Sequence, residues 1–263
     1  MSTVDNTNKP RDRGIPRTLT VKSVTNITPN MRRVTLNVDD SFPPNAEGAF
    51  MKMLFEQADK SKPIMRTYTL SQQRSEMNEV DIDFMLHADS NGVTHGIAAP
   101  WSLKTKPGDN ISLFGPGPAK FINIDADCFL LAADMTALPA LSANLKLLPK
   151  DAIGKAFIEI LSESDKQDLP KPENVEIVWV INNEPGSDES PLFHAIQQSV
   201  WQEEKLSVWS ACEFKTMKKI RQYLKTDREV ERSHLYISSY WKKGNTEEEH
   251  KAVRLKDKEE AKM

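Results

Sequence analysis

The chain has 263 residues, and its 35 lysines and arginines against 38 aspartates and glutamates give a formal net charge of −3. This length suits one large domain or two of ordinary size, and we expect two. The charge lacks the basic excess typical of nucleic-acid binders, and no window reaches the roughly 20 apolar residues that span a bilayer, so neither nucleic acid nor membrane is an expected partner.

Residues 1–14 and the cysteines predict a soluble protein of the cytoplasm. The amino-terminal segment lacks the apolar core of a signal peptide, and we expect it to be flexible. Cys128 and Cys212 lie far apart, each within an apolar stretch, which favours buried free thiols over a disulfide. The five histidines lack the close spacing of metal ligands, so no structural metal site is expected. We also expect a monomer.

Residues 15–123 predict a β domain. Short strands are separated by turns rich in Asn and Pro, and Val80-Asp81-Ile82-Asp83-Phe84 alternates as a half-buried strand does. The candidate strands are residues 18–24, 33–38, 50–55, 65–70, 80–86 and 110–114. About six strands at this spacing predict a small antiparallel barrel or sandwich.

The Arg66-Thr67-Tyr68-Thr69 segment places a fixed positive charge, an aromatic face and hydroxyls in four consecutive residues. On a strand, Arg66 and Tyr68 project to the same face, so a guanidinium suited to a diphosphate lies beside a ring that can cover a flavin. Thr69 is then placed to reach a ring nitrogen from the strand end. The alternative is an ordinary strand with an exposed arginine, an interfacial tyrosine and two threonines that favour β structure.

Residues 124–244 have a different pattern, in which apolar strands alternate with amphipathic helices. The candidate strands are residues 128–132, 155–161, 175–181, 206–211 and 235–238, and the candidate helices are residues 137–148, 191–204 and 215–224. This alternation predicts a parallel sheet with helices on both faces, which binds ligands beyond the carboxyl ends of its strands. Residues 245–263 are mostly charged and predict a solvated helix or tail that frays at its end.

A β domain with Arg-x-Tyr-Thr on a strand, followed by a parallel α/β domain, resembles the plan of flavin reductases related to ferredoxin-NADP reductase. Further segments follow in order: His87, residues 91–102 with Trp101, Gly115-Pro116-Gly117, residues 134–140, and Tyr240-Trp241-Lys242-Lys243-Gly244. Together they resemble the siderophore-interacting protein family of FAD-containing ferric-siderophore reductases. The resemblance implies an antiparallel FAD-binding β-barrel before an α/β NAD(P)-binding-like domain.

The resemblance also implies the residues that contact FAD. Arg66 matches the position near the diphosphate, Tyr68 the position against the isoalloxazine, and Thr69 the position near its reactive edge. The other matching positions are Thr67, His87, Thr94, Ala98, Ala99, Trp101, Ser102, Asp134, Thr136, Ala137, Tyr240 and Trp241. Alternatives remain open: a hydrogen-bonded histidine at the strand end for His87, core packing for Trp101, and a helix N-cap for Asp134 or Thr136.

The electron donor implied by the resemblance is NADH, NADPH or a reduced ferredoxin. The family's Ala-Gly-Glu segment, which is linked with nicotinamide nucleotide binding, reads Ala211-Cys212-Glu213 here, and cysteine leaves less space for close backbone approach. Arg221 on the next helix suits either a nucleotide phosphate or an exposed helix surface. No Gly-x-Gly-x-x-Gly fingerprint is present.

The implied substrate is a ferric siderophore, with Lys52, Lys120, Lys242 and Lys243 as candidate cations for an anionic complex. The alternative for each lysine is a solvated surface position. Since the chemistry belongs to the flavin, we assign no catalytic residue of the protein. Two other functions remain open: a general NAD(P)H-flavin or quinone reductase, and a siderophore-binding protein without turnover.

Overall fold

The computed structural model describes residues 14–57, 59, 62–87, 94, 96–200 and 205–260. Six antiparallel strands close into a barrel in the order β1-β2-β5-β4-β3-β6. Their bounds are β1 Arg17–Thr28, β2 Met31–Asn37, β3 Phe50–Phe55, β4 Ile64–Arg74, β5 Glu79–Met85 and β6 Asn110–Phe114. Of the two architectures predicted for the first half, the barrel is therefore confirmed.

The alternating segment of β5 shows why the barrel closes around one core. Val80, Ile82 and Phe84 are fully buried in the barrel interior. Asp81 and Asp83 point to the other face, where arginines neutralise them. Arg74 donates two hydrogen bonds of 2.7 Å to Asp81, and an Arg33 nitrogen lies 2.7 Å from Asp83.

The second half forms a five-stranded parallel sheet in the order β11-β10-β7-β8-β9. The strands are β7 Cys128–Asp134, β8 Ile153–Ile160, β9 Val175–Ile181, β10 Leu206–Glu213 and β11 Leu235–Trp241. Its helices are α2 Leu138–Leu147, α3 Pro191–Gln198 and α4 Phe214–Thr226; α1 Ala98–Lys104 lies in the barrel half, and α5 Glu247–Glu260 follows the sheet. The predicted fold class is confirmed.

The apolar run of β7 is explained by burial on both faces of the sheet. Leu131 and Ala133 pack in a core with α2, whereas Leu130 and Ala132 pack in a second core with α3 and α4. The first core extends to Met31 of the barrel. Both faces of the strand are therefore apolar, as its sequence indicates.

A buried carboxylate joins the two halves. Asp165, which is fully buried, accepts hydrogen bonds from the Thr28 hydroxyl at 2.7 Å and from the Asn30 amide side chain at 2.8 Å. These bonds hold the pKa of Asp165 below its usual value despite its burial. The β1–β2 turn is thereby fixed against the second half.

Several element bounds differ from those predicted. The strands β1 and β4 extend to Thr28 and Arg74, and α3 ends at Gln198 rather than at residue 204. Residues 201–204 of that predicted helix lie outside the described residues. The limits of the predicted domains, 15–123 and 124–244, stay a prediction.

The carboxy-terminal segment differs most from expectation. It is a helix, α5, but its packing against α4 and β11 buries His250 and Asp257, so it is not solvated on all sides. The ring of Phe214 on α4 meets the ring of His250 edge-on at 6.4 Å. Residues 261–263 lie outside the described residues. No helix in the described ranges is long and apolar enough to cross a membrane.

Candidate functional site

A cleft of about 550 Å³ lies between the barrel and the carboxyl-end edge of the parallel sheet, with α5 as its third wall. The structure brings ten of the predicted site residues to this cleft. They are Lys52, Arg66, Thr67, Tyr68, Thr69, His87, Lys120, Thr136, Tyr240 and Trp241. Their assignment to a cofactor or substrate stays a prediction, but segments far apart in the sequence meet at one place.

The cleft face of β4 is built to bind anionic oxygen atoms. The backbone N–H and hydroxyl of Thr67 donate to the Glu247 carboxylate at 3.0 and 2.6 Å. Arg66 Nη1 lies 3.2 Å from a carboxylate oxygen of Glu248. Both carboxylates come from the first turn of α5. Hydrogen-bond donors that bind two carboxylates also suit a diphosphate, so the residues present fit the anionic part of FAD.

Two tyrosines form the aromatic walls of the cleft. Tyr68 comes from the barrel, where its ring packs at 4.5 Å against Phe84, and Tyr240 comes from the end of β11. Thr69 of the barrel also lines the cleft, so both halves of the chain contribute to this part of it. Burial raises the pKa of both phenols well above the usual value, so both stay neutral. These neutral, half-buried rings suit a planar ring system.

A buried carboxylate positions the far end of the cleft. Asp134, at the end of β7, accepts from the Trp241 indole N–H at 2.7 Å and from the N–H and hydroxyl of Thr136 at 3.0 and 2.5 Å. Burial raises the pKa of Asp134, against the opposing effect of these hydrogen bonds. The helix N-cap alternative is wrong, because the N-cap residue of α2 is Ala137, whose methyl group cannot cap. Asp134 and Ala137 are buried and are not among the residues that line the cleft.

The described residues of and just before α1 are not among those that line the cleft. Trp101 packs against Phe55 and Phe84 with ring centroids 5.5 and 5.6 Å apart, which is the core-packing alternative. The Ser102 hydroxyl is fully buried and donates to the carbonyl of Ala99 at 2.8 Å. Thr94, Ala98 and Ala99 are described, but they do not line the cleft. Residues 88–93 and 95 of the same predicted turn lie outside the described residues. Cofactor contacts from this segment stay a prediction.

The four predicted substrate lysines are separated by the structure. Lys52 and Lys120 line the cleft, and Lys52 Nζ lies 3.0 Å from the Thr67 hydroxyl. Lys242 instead places its ammonium 5.3 Å from the ring centroid of Phe214, and the N–H of Lys243 donates to Glu213. Lys242 and Lys243 are not among the residues that line the cleft, and their role in substrate binding stays a prediction.

The predicted nicotinamide segment ends in a helix cap. Glu213 accepts from the N–H groups of Lys215 and Thr216 at 2.5 and 3.3 Å and so caps α4. Cys212 is buried, and its burial raises the pKa of the thiol well above the ordinary value. The exposed-surface interpretation of Arg221 is wrong, because its side chain is only 20% exposed and makes a bidentate ion pair at 2.6 Å with Asp257 of α5. A contact between Arg221 and a nucleotide phosphate stays a prediction.

Sequence reasoning missed the contribution of α5 to the cleft. Five of its residues that line the cleft are Glu247, His250, Lys251, Arg254 and Lys258. The available signal was their spacing, since positions 247, 251, 254 and 258 fall on one side of a helix. That signal does not show which partner the face meets.

The comparisons with known proteins agree with this architecture. Residues 42–120 match the siderophore-interacting FAD-binding domain, and residues 126–244 match the siderophore-interacting protein family. Ferric vibriobactin reductase ViuB of Vibrio cholerae is 32% identical over 258 residues, covering 90% of this chain and 93% of that protein. Ferric acinetobactin reductase of Acinetobacter baumannii is 25% identical and covers 86% of this chain and 78% of that protein.

Solved structures show the same relationship. The siderophore-interacting protein SipS from Aeromonas hydrophila superposes with a TM-score of 0.81 at 31% identity, covering 94% of this chain and all of that one. Ferredoxin-NADP⁺ reductase from Plasmodium falciparum has a TM-score of 0.66 at 15% identity over 86% of this chain and 96% of its own, which shows a shared fold. The chain therefore belongs to the siderophore-interacting protein family and carries that family's FAD-binding domain.

Proposed function

We propose that the protein is an FAD-dependent oxidoreductase that reduces siderophore-bound Fe(III) to Fe(II) and so releases iron in the cytoplasm. The observation that carries this proposal is the cleft itself, which combines donors for anionic oxygens, two neutral tyrosine rings and several cations. Its relatives named as ferric vibriobactin and ferric acinetobactin reductases support the same reaction.

The cofactor roles follow from the positions of the side chains. Arg66 and the N–H of Thr67 would hold the diphosphate, while Tyr68 and Tyr240 would enclose the ring system. Thr69, which lines the cleft next to Tyr68 in sequence, would contact the edge of the ring system. When bound, FAD supplies the conversion between two-electron and one-electron transfer, which Fe(III) requires because it accepts a single electron.

The substrate role rests on charge. The iron of a ferric siderophore is enclosed by oxygen ligands, and many such complexes are anionic, so cations at the cleft raise encounter rates and hold the complex. Lys52 and Lys120 are the predicted lysines in position for this. Reduction to Fe(II) weakens the complex, because hard oxygen ligands hold the smaller charge less tightly. No nucleophile or general acid of the protein is needed.

NADH, NADPH and reduced ferredoxin are the proposed electron donors, and we propose that the protein acts as a monomer. The fold shared with ferredoxin-NADP⁺ reductase supports a dinucleotide or ferredoxin donor. The two free thiols, Cys128 and Cys212, support the cytoplasmic location. Rapid mixing of the oxidised, FAD-loaded protein with each donor under anaerobic conditions would rank the three by their rate of flavin reduction.

The central experiment separates the reductase from its alternatives. The FAD-loaded protein is photoreduced without oxygen and mixed with a ferric siderophore, a quinone or no acceptor, while the flavin absorbance and a Fe(II)-specific chelator are followed. We expect reoxidation and Fe(II) formation with the ferric siderophore. Reoxidation by the quinone alone would indicate a general quinone reductase, and tight binding of the ferric siderophore without reoxidation would indicate a carrier protein. A protein that does not take up FAD would contradict every flavin-dependent function.

A further inference from the structure

The first turn of α5 lies on the segment of β4 that is proposed to hold the flavin diphosphate. Both oxygens of the Glu247 carboxylate bind Thr67: one accepts from the backbone N–H at 3.0 Å and the other from the hydroxyl at 2.6 Å. The Lys52 ammonium lies 4.0 Å from the same carboxylate. An anionic side chain of the protein therefore occupies the Thr67 N–H, to which the diphosphate is assigned.

The Thr67 N–H is open to an acceptor from another element because of the way β4 is paired. Residues 64–69 of β4 pair with β3, whereas the pairing of β4 with β5 starts at Leu70. Among the described residues, the other edge of residues 64–69 therefore has no neighbouring strand. A backbone N–H requires an acceptor, and Glu247 supplies it from 180 residues further along the chain.

The helix α5 does not need Glu247 for its own cap. Thr246 and Glu249 cap the helix reciprocally: Glu249 accepts from the Thr246 N–H at 2.7 Å, and the Thr246 hydroxyl accepts from the Glu249 N–H at 3.3 Å. Further along, the helix is held by the ion pair of Asp257 with Arg221. The Glu247 carboxylate can therefore move off β4 while α5 stays folded and in place.

Glu247 and Glu248 differ in how they affect the binding of a diphosphate. Thr67 has one backbone N–H and one hydroxyl hydrogen, and both are donated to Glu247. Arg66 has five N–H donors, and Glu248 contacts it through Nη1, at 3.2 and 3.4 Å. A second anion can therefore join Glu248 at Arg66, but it can bind Thr67 only if Glu247 leaves. Two anions at one donor also repel each other, which favours exchange over sharing.

We propose that Glu247 is an internal competitor of FAD. Its carboxylate holds Thr67 in the flavin-free protein and gives way to the diphosphate when the cofactor binds. Arg66 meets the diphosphate first, because it has donors to spare, and Thr67 then exchanges Glu247 for it. The first turn of α5 thereby lowers the affinity for the cofactor. This inference rests on the cofactor part of the proposed function.

The test compares two flavins that differ in the diphosphate. FAD carries this group, whereas riboflavin has the same ring system without any phosphate. The dissociation constants of both flavins are measured with the flavin-free protein by the change in flavin fluorescence. The variant is Glu247→Ala. The matched control is Glu248→Ala, which removes the same charge from the next residue of the same helix turn.

We expect Glu247→Ala to bind FAD about 10-fold more tightly, because the charge-assisted hydrogen bonds that FAD has to replace are then absent. Its affinity for riboflavin should change less than about twofold, and Glu248→Ala should change the affinity for FAD less than about threefold. A gain in affinity is not a result that partial unfolding produces. Unchanged or weaker FAD binding by Glu247→Ala would overturn the inference, as would an equal gain for riboflavin or an equal gain in Glu248→Ala.

Hydrogen exchange of α5 separates the role of Glu247 from that of the whole helix. Residues 253–260 should keep their protection in Glu247→Ala, and a gain in FAD affinity with loss of this protection would overturn the role of Glu247. If the wild type binds FAD and Glu247→Ala binds it equally well, only the inference fails. If the FAD-loaded wild type is not reoxidised by any ferric complex, the proposed reductase function fails, whereas the inference, which needs only FAD binding, stands.

Discussion

The ion pair between Arg221 and Asp257 is expected to hold α5 against the sheet. Its two N–O distances are both 2.6 Å, and the side chains are 20% and 9% exposed. The pair also holds the pKa of Asp257 below its usual value. Arg221→Met keeps the aliphatic stem but removes the charge, and Asp257→Asn keeps the shape but removes the negative charge.

The coupling free energy expected for the Arg221–Asp257 pair lies between the values known for exposed and for buried ion pairs. Exposed ion pairs contribute about 0.2–1 kcal/mol, whereas breaking a fully buried pair destabilises by about 3–5 kcal/mol. For this partly buried, bidentate ion pair we expect a coupling free energy of about 2 kcal/mol. Each single variant should then increase the opening equilibrium of α5 by about 30-fold, since 1.4 kcal/mol corresponds to tenfold.

The measurement is native-state hydrogen exchange of the amides of residues 247–260 in a double-mutant cycle. Each single variant should lose protection in α5 while β7 and the barrel keep theirs, and the double variant should lose less than the sum. Lys256→Gln is the control, because the Lys256 ammonium lies 4.0 Å from Glu260 and is 81% exposed. Unchanged exchange in α5, or additive losses in the double variant, would refute the assignment of this pair as the anchor.

Three further predictions concern the cofactor and pH. Arg66→Gln should weaken FAD binding at least tenfold, because a charge-assisted bond contributes about 1.5–3 kcal/mol; equilibrium dialysis checks this, with Arg17→Gln as the control. Burial and the nearby Asp134 raise the pKa of Glu159 to about 7 from an ordinary 4.5. Protonated Glu159 therefore contributes to the free energy of unfolding in full below pH 4.5, and this contribution is lost as pH rises through 7. Glu159→Gln should remove this pH-dependent loss, which is at most about 3 kcal/mol, in urea titrations at pH 5 and 8. Burial lowers the pKa of His250 to about 4, so α5 should lose protection as pH falls from 6.5 toward 4, and His250→Asn should reduce that dependence.

The fold could be predicted because the hydrophobic pattern within each short segment indicates its secondary structure and its buried face. The β9 bounds follow from an apolar run ended by Asn182, and the alternation of β5 shows which side chains enter the barrel. Arg66 and Tyr68 were found because their chemistry is concentrated in one strand, and the structure places both on the cleft. These features depend on neighbours in sequence rather than on contacts over long distances.

The role of α5 could not be predicted, because charged composition indicates solvation and the contacts of the helix lie far away in sequence. Asp257 finds its partner 36 residues upstream, and Glu247 binds Thr67 across 180 residues. The positions of Lys242 and Lys243 could not be predicted either. They follow Trp241, which does line the cleft, but the turn after β11 carries them to Phe214 and Glu213.

The proposed binding of the flavin diphosphate by Arg66 has to accommodate Glu248 of α5, which lies against the same side chain. An arginine has five N–H donors, and Nη1 serves both the Met65 carbonyl at 2.8 Å and the Glu248 carboxylate. The Nε and Nη2 donors make no hydrogen bond with a residue that the structure describes, so three N–H groups remain for a second anion. Arg66 can therefore bind a diphosphate with α5 in place. The N–H of Thr67 donates to Glu247 of α5, so it can bind the diphosphate only in exchange for that hydrogen bond.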